Sequence, residues 1–248
     1  MVKSESVAKP KISAAPLPEL ITMLEAGVHF GHERSKKNPK METFVFQQRN
    51  RVAIIDLEQT QLALAKVLAY VSHLAAQPNK EILFVGTKRQ AREIVRRHAD
   101  SVKMPFVTKR WLGGTLTNFS TILKSIEKLD ELKSIEGTPA AEKMTKKELS
   151  VMRKEINRLD AVLEGIRAMR TLPAAIFVIG SHDEKLAVLE AKRVGIPVIG
   201  ICDTNADPDV VDYAIPANDD AVRALDLVVG AVAGAITHGR NATVPAAA

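Results

Sequence analysis

Three clusters of basic side chains lie within the first 110 residues, and few carboxylates accompany them. One cluster repeats at positions 88, 92 and 96, a spacing that puts like charges on one face of a helix and costs helix stability. A polyanion would offset that repulsion, so the clusters predict RNA as the ligand. The candidate RNA contacts are Arg34, Lys36, Lys37, Lys40, Arg49, Arg51, Lys88, Arg89, Arg92, Arg96, Arg97, Lys109, Arg110 and Trp111.

The third cluster adds an aromatic ring and a glycine-rich turn to its cations. Trp111 follows Lys109 and Arg110, and Gly113 and Gly114 come after one intervening residue, Leu112. An indole can stack on an unpaired base, and exposed backbone N–H groups can bind phosphate oxygens. A single charged run is usually solvated surface, but three such clusters in one half of the chain favour RNA.

Histidines and aspartates offer an alternative chemistry. His29 and His32 are three residues apart, which would place both on one face of a helix. Further carboxylates follow a predicted strand, at Asp203, Asp207, Asp209 and Asp212. An ion near His29, His32 and Asp203 would make the protein a metal-dependent α/β hydrolase. The spacing alone does not bring three ligands together, so the presence of a metal stays open.

Other common chemistries lack their motifs. The chain contains no G-x-G-x-x-G, no G-x-x-x-x-G-K-[ST] and no G-x-S-x-G. We therefore expect no nucleotide cofactor and no small-molecule substrate. The single cysteine, Cys202, excludes a disulfide framework and any multi-cysteine metal site.

The net charge of +6 conceals an uneven distribution. Residues 1–110 carry 19 basic and 10 acidic side chains, whereas residues 173–248 carry 5 and 10. The protein can therefore present one positive face to a polyanion.

Apolar runs alternate with helical segments over most of the chain. Continuous apolar strands separated by helices predict an α/β fold with a Rossmann-like, doubly wound parallel sheet. The predicted strands are 81–86, 174–180, 198–203 and 213–216, and the predicted helices are 88–99, 183–194 and 219–238. Thr87 and Gln90 have the spacing of a capping box for the first of these helices.

Residues 115–171 interrupt this alternation, because no strand signal occurs there. Apolar residues recur at spacings of three and four, at Phe119, Ile122, Ile126 and Leu129 and again at Leu149, Met152, Ile156, Leu159, Leu163 and Ile166. This a/d pattern predicts an inserted α-helical coiled-coil hairpin whose second helix runs from Lys146 to Arg170.

The remaining segments complete the predicted organisation. Residues 1–20 and 241–248 are predicted loose tails, and 21–114 with 172–240 form one discontinuous α/β domain around the 115–171 insertion. Neither a signal peptide nor an apolar run of about 20 residues is present, so no membrane association is expected.

Several motifs in order along the chain resemble one known family. They are Gly27–His32 with Asn38–Met41, Arg110–Phe119, Asp203–Asn205 with Asp207–Pro208, and Ile215–Asp220. Together they resemble the small-subunit ribosomal protein S2 family, bacterial type, from about residue 20 to 238. Lys37 and Arg51 depart from the family pattern, which usually has tryptophan and glycine there.

The resemblance implies a non-catalytic function. It implies a structural constituent of the small (30S) ribosomal subunit that binds small-subunit ribosomal RNA and supports translation. The implied protein partners are neighbouring small-subunit proteins, including the mRNA-binding ribosomal protein one, which the family helps to recruit. The implied location is the cytoplasmic ribosome of bacteria, with an organellar ribosome still open.

Overall fold

The computed structural model describes residues 16–136, 138 and 144–242. The predicted tails lie largely outside these residues, as does most of the predicted hairpin tip. Of the predicted N-terminal tail, residues 16–19 are described, and the Pro18 carbonyl accepts a hydrogen bond from Gln61 Nε2 at 2.9 Å. Leu20 already begins the first helix.

Eight strands form two sheets in the part of the chain that the structure describes. They are β1 (Phe30–Glu33), β2 (Val45–Arg49), β3 (Val52–Ile55), β4 (Ile82–Val85), β5 (Phe106–Val107), β6 (Ala175–Ile179), β7 (Val198–Cys202) and β8 (Tyr213–Pro216). The larger sheet is parallel, with the order β5-β4-β6-β7-β8. This arrangement confirms the predicted α/β fold, although the two-residue strand β5 was too short to give a sequence signal.

Seven α-helices accompany the strands in the described residues. They are α1 (Leu20–Ala26), α2 (Leu57–Ala75), α3 (Arg92–Ser101), α4 (Phe119–Ile135), α5 (Lys146–Leu163), α6 (Lys185–Val194) and α7 (Val222–Asn241).

Both faces of the parallel sheet are buried, as its continuous apolar strands require. Along β4, Ile82 and Phe84 join a core with residues of α1, α2, α3 and α7, whereas Leu83 and Val85 join a second core on the opposite face. Helix α6 and the seam of α4 and α5 complete that second core. The alternation follows from the two-residue period of a strand.

The smaller sheet is antiparallel, with the order β1-β3-β2. It was not predicted from the sequence, because the segment before β2 is basic and has no apolar period. Its hairpin between β2 and β3 turns at Asn50 and Arg51, whose φ angles are 50° and 66°. Only the left-handed region allows such values, and both residues of a type I′ turn adopt it.

Helix α3 is shorter than predicted. It begins at Arg92 rather than Lys88, and no side chain caps its first turn. Thr87 does not form the predicted capping box, because its backbone N–H donates to Glu184 Oε1 at 2.6 Å. Lys88 therefore lies in the turn before the helix and shares no helical face with Arg92 and Arg96.

Helices α4 and α5 pack against each other through the predicted apolar seam. Ile126 and Leu129 of α4 and Leu163 of α5 are almost fully buried. Lys128 pairs with Glu155 at 3.1 Å and Arg153 pairs with Glu136 at 3.2 Å across the two helices. The second helix ends at Leu163, not at Arg170, because residues 164–166 form a 3-10 turn. The supercoil of a coiled coil stays a prediction.

Helix α7 is long and apolar enough to cross a membrane by length and composition alone. Its buried face, including Leu225, Val229, Val232 and Ile236, belongs to the core that covers the parallel sheet. Packing in that core accounts for its hydropathy.

Candidate functional site

Charged side chains gather where the parallel strands end. The chain leaves β4 toward β5 on one side and reaches β6 on the other, and this reversal of strand order opens a crevice at the carboxyl ends of the strands. Lys88 follows β4, Asp203 follows β7, and Asp219 and Asp220 follow β8. His32 of β1 completes this group, which we call the edge cluster.

Lys88 lies at the centre of the edge cluster. Its Nζ is 2.6 Å from Asp219 Oδ1, 2.8 Å from Asp220 Oδ1 and 3.3 Å from Asp183 Oδ2. Burial alone would lower the pKa of the Lys88 ammonium, but hydrogen bonds to Asp219 and Asp220 outweigh it and raise the pKa. Burial and the nearby Asp203 carboxylate raise the pKa of the fully buried Asp219 to about 6. Lys88 therefore neutralises internal carboxylates.

His32 is held by the loop that follows β7. Its Nδ1 lies 3.1 Å from Asp203 Oδ1, and this hydrogen bond raises the pKa of the imidazole. Its backbone N–H donates to Thr204 Oγ1 at 2.8 Å. The approach is so close that a Cβ on Gly31 would lie 2.5 Å from Thr204 Cγ2. This contact explains why a glycine precedes the histidine.

Four members of the edge cluster could act as metal ligands. Ligand atoms of His32, Asp203, Asp219 and Asp220 all lie within 4.8 Å of one another, and Asp219 Oδ2 has no hydrogen-bond partner among the described residues. One imidazole and three carboxylates suit a divalent cation such as zinc. Such an ion would share Asp219 and Asp220 with the Lys88 ammonium, so the charge of Lys88 opposes its binding.

The other predicted metal ligands lie elsewhere. His29 and His32 do not share a helical face, because His29 lies in the turn before β1 and His32 lies within β1. Asp207 and Asp209 pair with Lys40 at 2.8 and 2.9 Å. The Asp212 carboxylate accepts the Val198 N–H at 2.8 Å.

Much of the predicted basic stripe also serves internal contacts. Arg92 Nε donates to the Thr87 carbonyl at 2.9 Å, Arg96 pairs with Glu164 at 2.5 Å, and Arg97 pairs with Asp226. Asp226 and Glu164 lie far from α3 in the sequence, so these ion pairs could not be predicted from residue spacing. Lys37 likewise pairs with Glu42.

Trp111 differs most from expectation. Its side chain is only 7% exposed, and its indole N–H donates to Glu190 Oε1 at 3.0 Å. The indole therefore cannot stack on a base in this structure. The backbone N–H groups of the following turn are also occupied, because Gly114, Leu116 and Thr117 donate to the same carboxylate.

Seven of the predicted RNA contacts remain exposed. They form no side-chain hydrogen bond or ion pair with the residues described in the structure; they are Arg34, Lys36, Arg49, Arg51, Arg89, Lys109 and Arg110. Three of them share one end of the smaller sheet: Arg49 ends β2, Arg51 lies in the turn between β2 and β3, and the Arg34 N–H donates to the Arg51 carbonyl at 2.9 Å. We call Arg34, Arg49 and Arg51 the basic tip.

Beside the basic tip lies an exposed apolar groove. Ile21 and Leu24 of α1 are 67% and 52% exposed, and Phe30 and Phe46 of the smaller sheet are 50% and 69% exposed. These side chains line a groove of about 600 Å³ that Arg49 also borders. Contiguous exposed apolar surface is a common feature of surfaces that bind other proteins.

Comparison with known proteins decides the family. A family model described as ribosomal protein S2 matches residues 23–239. A protein of Mycobacteroides abscessus named small ribosomal subunit protein uS2 is 48% identical over 220 residues, which cover 89% of this chain and 79% of that protein. Its namesake in Hahella chejuensis is 48% identical over 217 residues, covering 88% and 85%. The chain belongs to the ribosomal protein S2 family.

Membership in this family bears on the alternative function. The ribosomal protein S2 family is not an enzyme family. The edge cluster does bring His32 and Asp203 together, but family membership gives the hydrolase alternative no support.

Glu190 is the residue that sequence reasoning missed. It lies in α6 between Leu189 and Ala191, and a glutamate in an amphipathic helix ordinarily faces solvent. Its side chain is 6% exposed and it is the acceptor for the 111–117 turn. The only sequence signal was an acidic residue on an otherwise apolar helix face with Ala187 and Ala191, which are fully buried.

Proposed function

We propose that this protein is a structural component of the bacterial small ribosomal subunit, located with ribosomes in the cytoplasm, and that it binds small-subunit ribosomal RNA through its unpaired cations. Family membership supports the ribosomal role, since relatives are named small ribosomal subunit protein uS2. The observation that carries the RNA contact is the basic tip, where three exposed guanidinium groups share one sheet end without a carboxylate partner among the described residues.

The proposed mechanism is docking rather than catalysis. Arginine recognises phosphate oxygens with paired N–H donors, and each phosphate that it neutralises releases counterions. The β2–β3 hairpin holds Arg49 at the end of a hydrogen-bonded strand and Arg51 in a tight turn, so few backbone conformations are lost on binding. The exposed Arg89, Lys109 and Arg110 supply further contacts.

A comparison of two triple variants tests this assignment. R34A/R49A/R51A removes the unpaired cations of the basic tip, whereas K37A/K40A/R97A removes the same charge from cations that already have internal partners. Charge-assisted contacts each contribute roughly a factor of ten, so we expect the tip variant to bind small subunits lacking this protein at least about 100-fold more weakly. The control variant should bind nearly as wild type.

Salt dependence adds a second readout. The log–log dependence of affinity on salt should fall by about 2 for the tip variant, because each phosphate contact contributes roughly 0.7–0.9. Equal losses for the two triple variants would show that total charge, and not the basic tip, governs binding.

We further propose that the apolar groove recruits ribosomal protein one. The exposed Phe30 and Phe46 rings support a protein ligand, since a phosphate backbone offers an aromatic ring no apolar surface to pack against. F30S/F46S should release ribosomal protein one from isolated subunits while leaving subunit binding intact. L189S, which removes an equally exposed side chain from α6, is the matched control. Retention of ribosomal protein one by F30S/F46S would contradict this assignment.

A further inference from the structure

We infer that Glu190 is a positioning residue that fixes the conformation of the 109–117 loop and thereby orients Lys109 and Arg110 for contact with RNA. The inference rests on the proposed function, because it concerns how that RNA face is built. It assigns a role to a residue in a different element, 79 positions away from Trp111.

Five hydrogen bonds from one loop converge on the Glu190 carboxylate. Oε1 accepts the Trp111 indole N–H at 3.0 Å and the Gly114 N–H at 2.8 Å. Oε2 accepts the Leu116 N–H at 3.0 Å and both the N–H and the hydroxyl of Thr117 at 3.2 Å. The carboxylate thus occupies the position that a bound anion takes in a nest of backbone N–H groups.

The electrostatics agree with a Glu190 carboxylate that is ionised at neutral pH, and we call this carboxylate with its five hydrogen bonds the clamp. Burial would raise the pKa of Glu190, but the hydrogen bonds from Trp111 and the backbone outweigh it and lower the pKa. The loop contains no helix or strand of its own, and Gly114 has a φ of 90°. Besides its internal turn bonds, from Thr115 to the Leu112 carbonyl and from the Asn118 N–H to the Gly114 carbonyl, the loop is held by its five hydrogen bonds to Glu190.

The cations that this clamp positions are free to bind. Lys109 and Arg110 directly precede Trp111, are exposed, and form no ion pair with the described residues. Strand β5 ends at Val107, so only one residue separates these cations from the sheet on that side. Anchoring Trp111 on the other side restricts Arg110 from both ends. The clamp therefore lowers the conformational entropy that ordering Arg110 on RNA would cost.

A double-mutant cycle separates positioning from simple stabilisation. Full-length wild type, R110A, E190Q and E190Q/R110A are compared for affinity to small subunits lacking this protein. We expect R110A to lower the affinity about tenfold. E190Q should lower it about three- to tenfold, and R110A should then cost less than about twofold in the E190Q background, because an unpositioned Arg110 contributes little.

Two further variants keep the test decisive. D212N weakens another carboxylate that accepts a backbone N–H, far from this loop, and should leave both the affinity and the tenfold cost of R110A unchanged. If E190Q does not fold, W111F removes one hydrogen bond of the clamp while it keeps an aromatic ring in the core. It should reduce the cost of R110A in the same direction.

Each outcome has a distinct meaning. Full cost of R110A in the E190Q and W111F backgrounds, or wild-type binding by E190Q, overturns the inference and leaves the proposed function standing. Wild-type binding by R110A itself also overturns it, because the loop then positions no contact. Failure of the RNA-binding proposal is read separately, from R34A/R49A/R51A.

Discussion

Lys88 and Arg51 occur in similar sequence contexts, but the fold places them in opposite environments. Both are cations in basic clusters of the first 110 residues. The Lys88 ammonium lies among three carboxylates at the edge of the parallel sheet, whereas Arg51 is exposed at the tip of a hairpin with no acidic partner among the described residues. The first cation balances charge within the fold, and the second is available to a ligand.

The difference shows that the number of cations in a sequence is not the number of cations that can bind. Removing a cation that pairs with a buried carboxylate leaves that carboxylate without a compensating charge. We expect such a substitution to cause the largest loss of folding stability. Removing an unpaired surface cation should change stability little and affinity much. The edge cluster and the basic tip therefore predict opposite phenotypes for similar substitutions.

Lys88→Met should give the largest loss of stability. It leaves the fully buried Asp219 without its cation, and we expect the free energy of unfolding to fall by about 3 kcal/mol. Urea unfolding monitored by circular dichroism measures this change. The neighbouring Arg89→Met, which removes an exposed and unpaired cation, should stay within about 0.5 kcal/mol of wild type. Similar losses of stability for both variants would contradict the distinction between paired and unpaired cations.

Glu190→Gln tests a second internal charge. At neutral pH the free energy of unfolding should fall by about 1–3 kcal/mol, because buried N–H donors lose their ionised acceptor. The lowered pKa of Glu190 means that its contribution is fully present above the unfolded value near 4.5 and is lost as the pH falls through the folded value.

The gap between wild type and Glu190→Gln should therefore narrow below about pH 4.5. Unfolding curves at pH 7 and pH 3 provide the measurement. A gap that does not change with pH would mean that the charge of Glu190 contributes nothing to the clamp.

Arg51→Gly should change stability in the opposite direction. Arg51 has a φ of 66°, which a glycine adopts without strain, so we expect a gain of about 0.5–1 kcal/mol. Affinity for the small subunit should nevertheless fall, because a phosphate-binding cation is gone. Thermal unfolding and subunit binding measured on one preparation test both signs. A variant that is more stable and binds equally well would remove Arg51 from the basic tip.

Lys40→Ala should have the smallest effect. Lys40 pairs with Asp207 and Asp209, but all three side chains are at least partly exposed, and surface pairs contribute little. Neither unfolding nor subunit binding should change beyond experimental error. A clear loss of subunit affinity would place Lys40 on the RNA despite its internal partners.

The order of apolar and polar residues determined most of the architecture. Four of the five parallel strands were predicted within one or two residues, because buried strands are short apolar runs between turns. The apolar seam of α4 and α5 was likewise visible in its three- and four-residue spacing. The two-residue strand β5 escaped prediction because it is so short. The smaller sheet escaped it because β1 and β2 carry polar residues without regular alternation, so the apolar run of β3 had no recognisable partner strand.

The sequence by itself determined the fold class, the family motifs and the positions of the cations, because these depend on local patterns. Only the tertiary structure decided which cations are free. Lys88 meets Asp219 across 131 positions, and Trp111 meets Glu190 across 79. Whether a charge is paired depends on neighbours that the folded sheet and its crossover connections bring together. Residue spacing within a short stretch of sequence cannot reveal such neighbours.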